Sequence, residues 1–189
     1  MRLLLPVLAC LTLAACTTTR KIPLNYTPSD RGIAAAPGNA RISVGAVNDR
    51  RDTPGAPLGT VHSGVGDSTK EIYTAQPLTA TVRQFFIDAL RNRGLYDPNS
   101  PEQLNIDILE FDADQFIRRE VDIDLLVALH DARTGYNRAV VPVRVEKMQG
   151  GLLNADNLVV GNFPAFQKFV EGALSEAADE GVNRIAPAR

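Results

Sequence analysis

Residues 121–145, VDIDLLVALHDARTGYNRAVVPVRV, decide the fold class. Val121, Ile123, Leu125, Val127 and Leu129 recur at period two, which places them on one side of an extended strand. Leu126 and Ala128 add apolar surface to the other side, so part of this strand is expected to be covered on both faces. Asp131 to Gly135 then carries turn chemistry, with Gly135 free to take positive φ. Ala139, Val141, Val143 and Val145 alternate again, and Pro142 on the outward parity points to an edge strand or a bulge. Two adjacent strands joined by a short turn form an antiparallel hairpin, the seed of a sheet.

Working outward, Leu104, Ile106 and Ile108 predict a preceding strand. Before that, Leu78, Val82, Phe85, Phe86, Ala89 and Leu90 fall at spacings of three and four, the mark of a helix with one apolar face. Pro77 suits its first turn and Gly94 its stop, giving a helix from about Pro77 to Arg93. A second helix is expected from about Pro164 to Ile185, capped by Asn162 and striped by Phe166, Phe169, Val170, Ala173, Leu174, Ala177 and Val182. Upstream, Ile42, Val44 and Ala46 alternate in a strand over 40–47. Residues 58–63 and 71–74 are weaker strand candidates around a glycine-containing turn at Gly64–Gly66. The expected architecture is α+β: a mainly antiparallel sheet with two helices packed on one face.

The amino terminus has a different character. Met1-Arg2 gives one positive charge, and Leu3 to Ala15 is almost wholly apolar. As a helix that run reaches only about 20 Å, against about 30 Å for a bilayer core, so it is read as an export signal. It ends Leu13-Ala14-Ala15-Cys16, the lipobox pattern of bacterial lipoproteins. The pattern implies diacylglycerol attachment through the Cys16 sulfur, with residues 1–15 removed. Leu8 is bulky where Ala14 is small, which makes Cys10 a poor rival. By likeness to enterobacterial sorting signals, Thr17 rather than aspartate after the cysteine implies the periplasmic face of the outer membrane, with the inner membrane as the alternative. Residues 16–39 read as the lipidated cysteine and a tether, within which Ile22, Leu24 and Tyr26 could form a short edge strand closed by Pro28. Residues 40–189 read as a single periplasmic domain.

Cleavage would remove one charge, Arg2, leaving 19 basic against 22 acidic side chains and a formal charge of −3. That balance excludes a nucleic-acid partner, which needs a basic patch, and leaves membrane attachment to the acyl chains. Both cysteines are consumed by signal and lipid, so no disulfide is expected. The covalent lipid on Cys16 is the only non-protein group expected.

Candidate chemistry is sparse. Asp122, Asp124 and His130 share one strand face, and alternate residues there lie about 7 Å apart; an exposed polar face explains them better than a metal site. Asp112 with Asp114, and Asp97 with Asn99, read as turn chemistry and lack the glycine and glutamate of a calcium loop. Gly64-Val65-Gly66 lacks a following lysine and implies no phosphate cradle. No serine sits in a nucleophile elbow, and no catalytic residue is expected. The loop Asp49-Arg50-Arg51-Asp52 follows a strand directly. It is a candidate binding loop through Asp49, Arg50 and Arg51, able to offer a guanidinium fork to a carboxylate or phosphate. Its alternative reading is a loop held by its own Asp–Arg pair.

These features together resemble the YajG-like family of Gram-negative lipoproteins. The resemblance rests on the lipobox, Leu24-x-Tyr26-x-Pro28, Val47-x-Asp49-x-Arg51, Leu58-Gly59, Leu90-x-x-x-Gly94-Leu95, the stretch Leu104 to Ala113, and the paired strands with the last helix. It departs from the family at Arg50 and in the longer 150–161 link. The resemblance implies a non-enzymatic accessory module for an envelope protein complex, with no catalytic residues to carry over. The alternative is a carrier for lipid or a cell-wall fragment, held between sheet and helices.

Overall fold

The computed structural model describes residues 18–29, 41–63, 68–116, 118–150 and 163–185. The signal segment, Cys16, the Gly64–Gly66 turn, Asn162 and the 151–162 link lie outside the described residues. Among the described residues nine elements follow in chain order: β1 Thr18–Ile22, β2 Ser43–Asp49, β3 Gly59–Ser63, β4 Ser68–Thr74, α1 Leu78–Asn92, β5 Glu102–Gln115, β6 Arg119–Asp131, β7 Tyr136–Gln149 and α2 Phe163–Ile185. They form an α+β fold in which one sheet of order β1-β4-β3-β5-β6-β7 carries both helices on one face.

The hairpin at its heart follows from the period-two pattern. Every inward residue of β6 from Val121 to Leu129 is buried, and Val143 and Val145 face the same way from β7. The turn closes as Gly135 N–H donates to the Asp131 carbonyl at 2.8 Å, with Gly135 at φ +76°. β7 ends the sheet order, so Pro142 costs the ladder nothing on its open side. In β5 the alternation shifts at a bulge between Ile108 and Glu110, which turns Leu109 out to solvent and lets both Ile108 and Phe111 face the helices.

Three junctions are parallel: β1 with β4, β2 with the first half of β5, and β3 with the end of β5. Gly59 makes the last of these possible. Leu58 N–H donates to Ile72 O, and its own carbonyl accepts from Ala113 N–H, each at 2.6 Å, so the chain is pinned between β4 and β5 where Gly59 passes.

Between sheet and helices the side chains of Phe85, Phe86, Phe166, Leu104, Ile106, Ile108, Ile123 and Leu125 are fully buried. Helix α1 stops as expected: Gly94 takes φ +65°, and Leu95 N–H reaches back to Leu90 O at 2.9 Å. Gly181 of α2 lets the two helices close, because a Cβ there would meet the Phe86 ring at 2.9 Å.

The reading of residues 16–39 as a tether needs correction over 18–29. Thr18–Ile22 is the edge strand at the end of the sheet opposite β7, so the strand ends at Ile22 rather than starting there. Residues 25–29 then lie along α2. Asn25 N–H donates to Glu171 at 3.0 Å, Thr27 N–H to Ser175 Oγ at 3.1 Å, and Ser29 N–H to Asp179 Oδ2 at 2.7 Å. Tyr26 stacks edge-on against Phe85 and donates its hydroxyl to Asp179 Oδ1 at 2.6 Å.

Asp179 is the hub of this clasp. Arg93, just past α1, donates to it at 2.7 Å, and the two side chains are 2% and 1% exposed. Burial pushes the Asp179 carboxyl up, but donors from Tyr26, Ser29 and Arg93 outweigh it and hold the group below its ordinary value. The same burial and the neighbouring carboxylate push the Tyr26 phenol up to about 12.

Candidate functional site

The strand β2 delivers Asp49 to the surface, and the chain then folds back on itself through Gly55 at φ +78°. Arg51 lies inside this loop and is only 9% exposed. Its Nε and Nη2 each meet one Asp49 oxygen at 2.9 Å, a two-point pair. Nη2 also donates to Ala56 O at 3.1 Å, and Nη1 to Pro57 O at 3.2 Å and Phe111 O at 3.5 Å. Every N–H of the guanidinium therefore has an acceptor within the fold. The Asp49 carboxyl is held below its usual range by the Arg51 hydrogen bonds, with help from Gly55 N–H.

Arg50 is the opposite case. Its side chain is 64% exposed, and Asp107 lies 3.9 Å from its Nε. The loop thus spends one guanidinium on its own shape and presents the other to solvent. Asp49, Arg51, residues 54–56 and Leu58 face a cleft of about 440 Å³ across from the β4–α1 turn, with Lys21 and Tyr73 on its wall; Arg50 does not line it. Replacing Arg51 by alanine is expected to lower stability by about 2–4 kcal/mol, whereas Arg50→Ala should stay within about 0.5 kcal/mol, both read from urea unfolding.

Of the remaining candidates, register brings Asp112 and Asp114 beside the strand of Asp122 and Asp124, but leaves His130 and the Asp97 turn apart from them. His130 pairs with Asn137 Oδ1 at 3.1 Å, six residues along β6 from Asp124 and so about 20 Å away. His62 stacks on Phe116 at 5.0 Å, and Asp114 accepts from Thr60 N–H and Oγ1 at 2.6 and 2.7 Å. Asp97 closes its own turn by accepting from Asn99 N–H at 2.9 Å. Among the described residues no group of three or more His, Cys, Asp or Glu is placed to hold a metal ion. No helix among them is long and apolar enough to cross a membrane.

The outward side of the sheet is acidic, which strand-by-strand reading did not foresee. Register sets Glu110 opposite Asp124, Asp112 opposite Asp122, and Asp114 opposite Glu120. Burial first, then Asp114, Asp122 and Glu110, push the Asp112 carboxyl up. Like charges face to face weaken a sheet, and Arg118 beside Glu120 and Arg144 beside Glu146 offset part of this.

Comparison with known proteins gives a fold and little more. No family model matches the chain, and no curated protein does. Among solved structures it resembles a Xanthomonas campestris protein of the family model DUF330, with TM-score 0.60 and 15% identity over 91% of this chain and 96% of that one. The likeness is one of fold. A minor lipoprotein from Acinetobacter baumannii is looser still, at TM-score 0.39 and 9% identity over 75% of this chain and 92% of that one.

The short motifs quoted above sit at joints of this fold. Tyr26 holds Asp179, Asp49 with Arg51 forms the loop clasp, Gly59 passes between strands, and Gly94 stops α1. The layer between sheet and helices, where a carrier would hold its ligand, is occupied by Phe85, Phe86 and Phe166.

Proposed function

We propose that this chain is a lipid-anchored, non-enzymatic binding module of the Gram-negative envelope, a relative of the YajG-like lipoproteins. It would sit on the periplasmic face of the outer membrane and dock an envelope protein. The observation that carries the reading is the lipobox Leu13-Ala14-Ala15-Cys16 at the end of an apolar run too short to span. The fold likeness to the Xanthomonas campestris protein is consistent with it. The packed core favours surface docking over an enclosed carrier.

Arg50 is the side chain proposed to meet the partner, because it stands in solvent beside the Asp49–Arg51 pair, with the Asp107 carboxylate no nearer than 3.9 Å to its Nε. Cys16→Ala is expected to abolish fatty-acid labelling and move the protein from the membrane fraction to the soluble periplasm. Unchanged labelling and fractionation would remove the anchor. Crosslinking of the acylated protein in intact cells is expected to recover one defined partner, and Arg50→Ala to reduce that recovery while leaving the unfolding midpoint unchanged. Recovery of no partner under several crosslinking chemistries would count against docking.

A further inference from the structure

The geometry points to one end of the sheet as a surface that rests on the bilayer. This inference rests on the acylation of Cys16 proposed above. Only Thr17 stands between Cys16 and the first residue of β1, so the Cα atoms of Cys16 and Thr18 can be no more than about 7 Å apart. An anchor placed there brings the sheet itself to the headgroups.

The strand register says which part of the sheet arrives. Thr18 pairs with Lys70 near the start of β4, and Ser68 pairs with Ser63 at the end of β3. Val61 lies beside Gln115, Gln115 opposite Arg119, and Arg119 opposite Gln149. The starts of β1, β4 and β6 and the ends of β3, β5 and β7 therefore share one end of the sheet. Phe116 stands at its tip, 65% exposed, and Met148 lies one outward position further in, 62% exposed. Arg118 lies beside Phe116 with half its side chain in solvent, and Lys70 borders the same end.

Apolar tips with flanking cations fit the boundary between headgroups and acyl chains, where such groups settle about 5–10 Å deep. Phe116 would enter that layer, and the solvent-facing half of Arg118, otherwise beside Glu120, would meet lipid phosphates. The acidic band of β5 and β6 begins with Asp114 and Glu120, level with Met148 and one outward position behind Phe116, which keeps contact to the Phe116 tip and prevents the sheet from lying flat on anionic lipid. At about 3.3 Å per residue, the turn after Asp131 then stands about 40 Å out from the membrane end.

The test uses the full acylated protein in vesicles of phosphatidylethanolamine and phosphatidylglycerol with a nitroxide near the glycerol end of an acyl chain. The chain has two cysteines, Cys10 in the signal and Cys16 under lipid, so one engineered thiol carries the fluorophore alone. A label at Phe116→Cys is expected to shift to the blue on binding, and one at Met148→Cys, level with Glu120 and with Phe116 intact, to shift less. They should be quenched several-fold more than a label at Ala132→Cys, in the far turn. Vesicle-bound protein in which all three labels are quenched alike would overturn the inference and leave the anchor standing. So would a Phe116 label shielded only as protein concentration rises and untouched by nitroxide, which would assign the surface to a second copy. Protein that fails to float with vesicles would instead overturn the acylation.

Discussion

Asp179→Ala is expected to remove about 3–5 kcal/mol of stability, a large share of the 5–15 kcal/mol typical of a domain. The loss is not that of one hydrogen bond. Arg93 would keep its charge in a site where it is 2% exposed, and Tyr26 and Ser29 would lose their acceptor. Urea unfolding at neutral pH measures the loss, and amide exchange in residues 25–29 should rise well above that of β6. The pH dependence follows from the two shifted groups. Asp179 lies below its ordinary value of 3.8 when folded, so its contribution is present above that value and fades as pH falls through the lower folded one. Tyr26 moves from 10.0 to about 12, so its contribution is complete below pH 10 and disappears as pH climbs towards 12. The unfolding midpoint should therefore drop at both extremes; Tyr26→Phe should remove the Tyr26 share of the alkaline drop and, by taking one donor from Asp179, shrink the acid one as well.

The second large effect is expected at Gly59. A Cβ at this position would stand 2.7 Å from the Ala113 carbonyl carbon and 2.9 Å from its nitrogen, at a φ of +154°. The obstacle is backbone, and the hydrogen bonds of Leu58 on both sides prevent it from yielding. Overpacking and conformational strain together are expected to cost Gly59→Ala about 3–5 kcal/mol. Gly135→Ala is the control. It carries φ +76° but has nothing within 4 Å of the new atom, so only about 1 kcal/mol of strain should appear. Thermal melts of the two variants separate packing from backbone preference.

The sequence was most informative where pattern and environment coincide. The β6–β7 hairpin, α1 and α2 each repeat an apolar period over three or more turns or pleats, and burial follows that period. The edge strand Thr18–Ile22 was hidden because TTRKI is polar; it is held by backbone pairing to β4, which leaves no mark on side-chain pattern. The parallel junctions were hidden for the same reason, since register between distant strands is set by packing rather than by either strand's composition. Asp179 did leave a trace: it sits one turn from Ser175 and three residues before Val182, a charge at the border of an apolar stripe. Its partner Arg93 is 86 residues away, beyond any local reading. In the candidate loop the residue types were legible, but which arginine turns inward depends on the carbonyls of Ala56, Pro57 and Phe111.

The clasp between residues 25–29 and α2 also orders events in time. Its two halves are separated by about 150 residues of chain. At synthesis rates of about 5–20 residues per second, the first half waits roughly 8–30 s for the second to exist. Until α2 emerges, residues 25–29 lack Glu171, Ser175 and Asp179, although β1 already has β4 to pair with and Tyr26 has Phe85. The last helix is thus what locks residues 25–29 onto the body, and it is the last of the described elements to arrive.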